Sequence, residues 1–84
     1  MERKKIFDLS TGEVELALDA KSEHGHYSRQ GLIVRLAIIA ALGDSSEKLK
    51  AKNYLEVLAD SKNNWSDKFM ATLMLEVVNG KKEV

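Results

Sequence analysis

The chain contains no cysteine, no proline and no surplus of charge of either sign. Each absence narrows what the protein can be. Without cysteine, neither a disulfide nor a thiolate-bound metal can add to the core, and such a chain suits a reducing compartment. Thirteen basic and thirteen acidic residues cancel, whereas a dedicated nucleic-acid binder carries excess positive charge to displace counterions from phosphates. Long apolar runs are also missing. The longest, Leu32 to Leu42, spans eleven residues and contains Arg35, while a membrane-spanning helix needs about 20. "MERKKIF" opens like a signal peptide, but Asp8 interrupts before an apolar segment forms. The expectation is a cytoplasmic protein with no membrane contact.

With 84 residues the chain makes one domain, and a domain this small buries only about 60–65% of its unfolded surface. Glycine and clusters of Ser, Asp and Asn supply the punctuation that proline does not, dividing the chain into four parts. In "LSTGEVELALDAKS", Ser10 and Glu13 fit a capping box, and Leu9 with Val14 fits its hydrophobic staple. The rival reading is a β-hairpin, because Phe7, Leu9, Val14, Leu16 and Leu18 alternate around "STGE". Helix is favoured, since Val14 is the only β-branched residue from Glu13 to Ala20 and an isolated hairpin is marginal.

The second part, "SRQGLIVRLAIIAALGD", begins with Ser28 as a fair N-cap and ends on Gly43. A helix apolar on nearly every side must be covered on nearly every side. It is therefore either the central helix of the bundle or a helix partly turned to another subunit. In "DSSEKLKAKNYLEVLADS", Asp44 or Ser45 caps, Asp44 and Glu47 form a second box, and Ala51, Tyr54, Leu55 and Leu58 make one buried face. In "NNWSDKFMATLMLEVVNGKK", Asn64 or Ser66 caps and Gly80 terminates. Trp65, Phe69, Leu73 and Val77 stand at successive i+4 positions, widened by Met70, Met74 and Val78, and are expected to carry much of the bulky core.

The fold class expected is thus all-α: a small bundle of three well-signalled helices plus a short N-terminal element. The domain is a single helical unit over 1–84, with 1–8 as a flexible N-terminal arm and 81–84 as a flexible C-terminal tail.

Candidate sites are few. His24 and His26, the only histidines, share a face only in an extended segment, and a zinc site needs a third and usually a fourth ligand. They read as the flanks of a turn around Gly25, and no metal or cofactor is expected. Ser28, His26 and a nearby acid form no recognisable triad, because spacing within one loop does not orient a base on a nucleophile. The glycines are too scattered for a phosphate-binding loop. No enzymatic activity is expected.

Arg35 is the most informative single residue. An unpaired charge buried in "LIVRLAIIAAL" would cost several kcal/mol. Arg35 therefore reaches water or an acid such as Glu56 or Glu76, or else meets an anionic group on a partner, with Gly31 letting that partner approach the backbone. Ser28, Gly31 and Arg35 mark the polar edge of the second helix. Together with Ile38 and Ile39 they are the candidate surface for a partner or ligand.

The function expected is a small non-catalytic protein-interaction module, self-associating or docking as a regulator or inhibitor on a larger protein. The alternative is a nucleic-acid-associated regulator whose oligomer gathers the basic arms Arg3, Lys4 and Lys5. A recognition helix in the last part is disfavoured, because Asp67 and Glu76 on its polar face would repel phosphates.

Overall fold

The computed structural model describes residues 5–19, 27–62 and 64–80. Four helices follow a 3-10 turn, Ile6–Asp8: α1, Thr11–Leu18; α2, Arg29–Leu42; α3, Ser45–Ala59; and α4, Trp65–Val78. No strand is present among the described residues, so the N-terminal element is a helix and the hairpin reading falls.

Local hydrogen bonds explain the boundaries. Ser10 Oγ accepts from Glu13 N–H at 3.2 Å while Ser10 N–H donates to Glu13 Oε1 at 2.8 Å, the reciprocal pair of a capping box. Leu9 and Val14 on either side of it are both buried. Ser28 caps α2 by accepting from Gly31 N–H at 2.9 Å, Asp44 caps α3 by accepting from Glu47 N–H at 3.0 Å, and Asn64 caps α4 by accepting from Asp67 N–H at 3.1 Å. Beyond α4, Gly80 adopts φ +63°, the left-handed geometry that favours glycine after a helix.

Helix α2 is the central element and touches the 3-10 turn and all three other helices. Leu32, Ile33, Leu36, Ala37, Ile39 and Ala40 are buried against its neighbours within the same chain. Of the two roles open to this apolar helix, it takes that of bundle centre, and the Ile33–Ile39 side is not a free surface. Helices α3 and α4 pack on α2 and on each other, and α1 lies across α2 and α3. The core is built from Leu9, Val14, Leu18, Leu32, Ile33, Leu36, Ile39, Leu55 and Leu58, with Ala40, Ala51 and Ala71 where helices approach closely. No helix among the described residues is long and apolar enough to cross a membrane.

Residues 6–8, within the segment read as an arm, form the 3-10 turn, and half-buried Ile6 packs against the core. Residues 1–4 and 81–84 lie outside the described residues. One expectation, on α4, needs correction. Trp65 is 74% exposed, Phe69 52%, Leu73 39% and Val77 69%, so the i+4 row does not carry the core. The opposite face does, with Ala71 fully buried and Met70, Met74, Leu75 and Val78 half-buried against it. Ala71 has no bulk to hold the neighbouring helices away, and the two flexible methionines fill the remaining space.

Candidate functional site

The edge of α2 singled out by sequence is largely occupied by its own chain. The Nε–H of half-buried Arg35 donates to the Leu9 carbonyl at 2.9 Å. Its nearest polar contact is thus a backbone oxygen just before the Ser10 cap, and neither Glu56 nor Glu76. Gly31 does admit a close approach, but by Ile6: a Cβ at position 31 would lie 2.8 Å from Ile6 Cδ1 and 2.9 Å from Ser28 Oγ. Ser28 is exposed, with its hydroxyl engaged in the cap. Ile39 is buried and Ile38 half-buried.

Arg35, Ile38 and Ile39 do share a cavity of about 570 Å3, open to solvent where the end of α2 meets the starts of α1 and α3. Its polar wall sets the carboxylates of Asp8, Glu13, Asp44 and Glu47 against the single guanidinium of Arg35. That balance does not suit an anionic ligand, contrary to the carboxylate or phosphate role considered for Arg35. Three of the four carboxylates are committed to helix starts. Glu13 and Asp44 cap their own helices, while Glu47 Oε1 accepts from Thr11 N–H at 3.4 Å, at the first residue of α1. Glu47 therefore does not close the box on Asp44 but ties α3 to α1. The Thr11 hydroxyl and backbone N–H, helped by Lys50 at 3.8 Å, hold its carboxyl below the usual carboxylate range. Thr11 Oγ1 itself is buried and meets the criteria of no hydrogen bond.

A second polar cluster gave no sign of itself in the sequence. Arg29 Nε–H donates to both oxygens of Asp67 at 3.2 Å, its Nη2 donates to Oδ2, and its Nη1 donates to the Leu18 carbonyl at 2.9 Å. Asp67 is 3% exposed, so it is not on the polar face of α4. One guanidinium thereby joins the end of α1, the start of α2 and the start of α4. Among the described residues no Cα of α1 comes within 8 Å of a Cα of α4, so the guanidinium bridges two helices whose backbones do not adjoin. The hydrogen bonds to Asp67 raise the Arg29 pKa further above its already high value, so the guanidinium stays charged. Tyr54 sits in the same region, and burial, aided by the carboxylates of Glu15 and Asp19, pushes its phenol up. The cluster is a structural clamp: the guanidinium is held by Asp67 and the Leu18 carbonyl.

One helix presents a row of large apolar side chains outward. Trp65, Phe69, Leu73 and Val77 run the length of α4, and the Trp65 and Phe69 rings stack at 5.5 Å between centroids with an 8° interplanar angle. This stripe is the strongest candidate for a functional surface. Its members were legible as a row in the sequence, and only their direction was not. Among the described residues no group of three His, Cys, Asp or Glu is placed to hold a metal ion. His24, His26, Arg3 and Lys4 lie outside the described residues, and Lys5 is exposed at the start of the 3-10 turn. Comparison of the chain with protein-family models, with curated proteins and with solved structures finds no match.

Proposed function

We propose that the chain is a small, non-catalytic, cytoplasmic protein-interaction module whose contact surface is the outer face of α4. It self-associates or docks on a larger protein through that face. The observation that carries this reading is the exposure of Trp65, Phe69, Leu73 and Val77 along one helix whose other face already completes the core. Contiguous apolar patches of this extent on small proteins are commonly interaction sites. Tryptophan and other aromatics are the side chains that most often dominate binding energy at such sites. The contact surface thus moves from the Ser28–Ile39 edge of α2 to α4, because Ile39 is buried and Gly31 is covered by Ile6.

Photo-crosslinking in cells tests the reading. A photoreactive amino acid at position 65 is expected to yield discrete protein adducts, and one at exposed Asn53 on α3 to yield few. If position 65 captures no more protein than position 53, the interaction reading fails.

A further inference from the structure

We infer that the occupant of the α4 stripe is a second copy of this chain, with the two α4 helices antiparallel about a two-fold axis between Phe69 and Leu73. This rests on the preceding reading of α4 as the contact surface and names its partner.

The first support is area. At exposures of 74, 52, 39 and 69%, the four side chains present roughly 500 Å2 of apolar surface. A standard stable interface takes about 800 Å2 from each partner, a little over half of it apolar. One stripe therefore supplies the apolar centre of one such interface. The stacked Trp65 and Phe69 rings already hold each other in place, so less side-chain freedom is lost on association.

The second support is charge. Lys68, Thr72 and Glu76 occupy one flank of the stripe, and all three are exposed. Neither Lys68 nor Glu76 forms an ion pair among the described residues. A two-fold axis perpendicular to the paired helices keeps this flank on the same side in both copies and reverses its direction. Lys68 of one copy then lies beside Glu76 of the other, twice over by symmetry. Trp65 meets Val77 and Phe69 meets Leu73 across the axis. A parallel pairing would carry this flank to the opposite side of the partner, and Lys68 would no longer lie beside Glu76. The chain is formally neutral, so no net repulsion opposes the approach of two copies. The stripe complements itself in sign, as a closed two-fold contact requires.

Native mass spectrometry and light scattering over a dilution series test the pairing. The expected species is twice the chain mass, falling to single chains when Phe69→Glu and Leu73→Glu are combined, with the helical circular dichroism retained. Lys68→Glu alone brings four acidic side chains together and should weaken the dimer about tenfold. Adding Glu76→Lys restores opposite charges and should recover most of that loss. A wild-type chain monomeric throughout the series overturns the inference, as does a dimer untouched by the stripe variants or a Lys68→Glu defect that Glu76→Lys does not repair. Crosslinking from position 65 separates the two failures. Adducts with a different protein would leave α4 as the contact surface and remove only the self-pairing, whereas no adduct would remove both.

Discussion

The guanidinium of Arg29 meets the carboxylate of Asp67 across 38 positions of sequence, with Nε within 3.2 Å of both acid oxygens. The Asp67 side chain is 5% exposed and that of Arg29 39%, so the acid is the member that depends on the pair. Removing Arg29 leaves a buried carboxylate without its partner and frees the Leu18 carbonyl. Water reaches the arginine side of the pair, which moderates the loss. Arg29→Met is expected to destabilise the fold by about 2–3 kcal/mol, and Arg29→Lys by nearly as much, because an ammonium cannot span both acid oxygens and the carbonyl. Urea unfolding of the two variants checks this. Losses within about 0.5 kcal/mol, the usual range of a surface substitution, would remove the clamp from any account of stability.

The two faces of α4 should respond in opposite ways. Ala71 is fully buried between helices, and Ala71→Leu should cost about 1–3 kcal/mol by forcing its neighbours apart. Phe69→Ser and Val77→Ser, on the exposed row, should change the stability of the single chain by less than about 0.5 kcal/mol. The comparison is made at dilutions where subunits are apart. A large loss from Phe69→Ser there would mean that the row supports the core after all.

Gly31 and Ile6 are coupled by a close approach that a side chain would obstruct. In the wild-type background, Gly31→Ala gains helix propensity but must push Ile6 aside. In an Ile6→Ala background only the Ser28 hydroxyl remains in the way, and the same substitution should be more favourable by about 0.5–1 kcal/mol than in the wild type. A double-mutant cycle measures the difference. Zero coupling would show that the 3-10 turn does not dock on α2.

Glu47 gives a pH signature whose sign follows from its lowered pKa. Its carboxylate is favoured in the folded state, so its contribution is fully present above the unfolded value of 4.5 and is lost as pH falls through the lower folded value. The stability difference between wild type and Glu47→Gln should therefore be constant near neutrality and shrink below pH 4.5. Denaturant midpoints from neutral pH into the acid range provide the check. A difference independent of pH would place the Thr11 contact outside the stability of the fold.

The helix starts were the most legible feature. Ser10, Ser28, Asp44 and Asn64 each cap as their types suggest, because a cap is a bond between residues three apart and all its parts lie in one short string. Glu47 shows the limit of that logic. Its spacing from Asp44 matches the capping box of Ser10 and Glu13, yet its carboxylate turns to Thr11 on another helix. A local pattern presents the donor close at hand and cannot show a second donor brought in by packing.

The stripe on α4 was visible and aimed the wrong way. Trp65, Phe69, Leu73 and Val77 have the period of a core face, but so does the set Met70, Ala71, Met74 and Val78 on the other side. Size suggested the first set, because bulky residues contribute most to burial. In the bundle the decisive residue is the small one: Ala71 allows α4 to lie close to its neighbours, and the aromatic row is left facing out.

By itself, then, the sequence determined the last three helices, the residues near which they start and the apolar character of α2, and it left the first element open between helix and hairpin. These follow from interactions spanning three or four positions and from composition, which any folded form of the chain must honour. Only the tertiary structure decided which face of α4 is buried, that Ile6 fills the space over Gly31, and that Arg29 finds Asp67. Those outcomes depend on volumes and hydrogen-bond partners supplied by residues far apart in the chain, and a one-dimensional pattern carries no record of which of two comparable faces fits the space its neighbours leave.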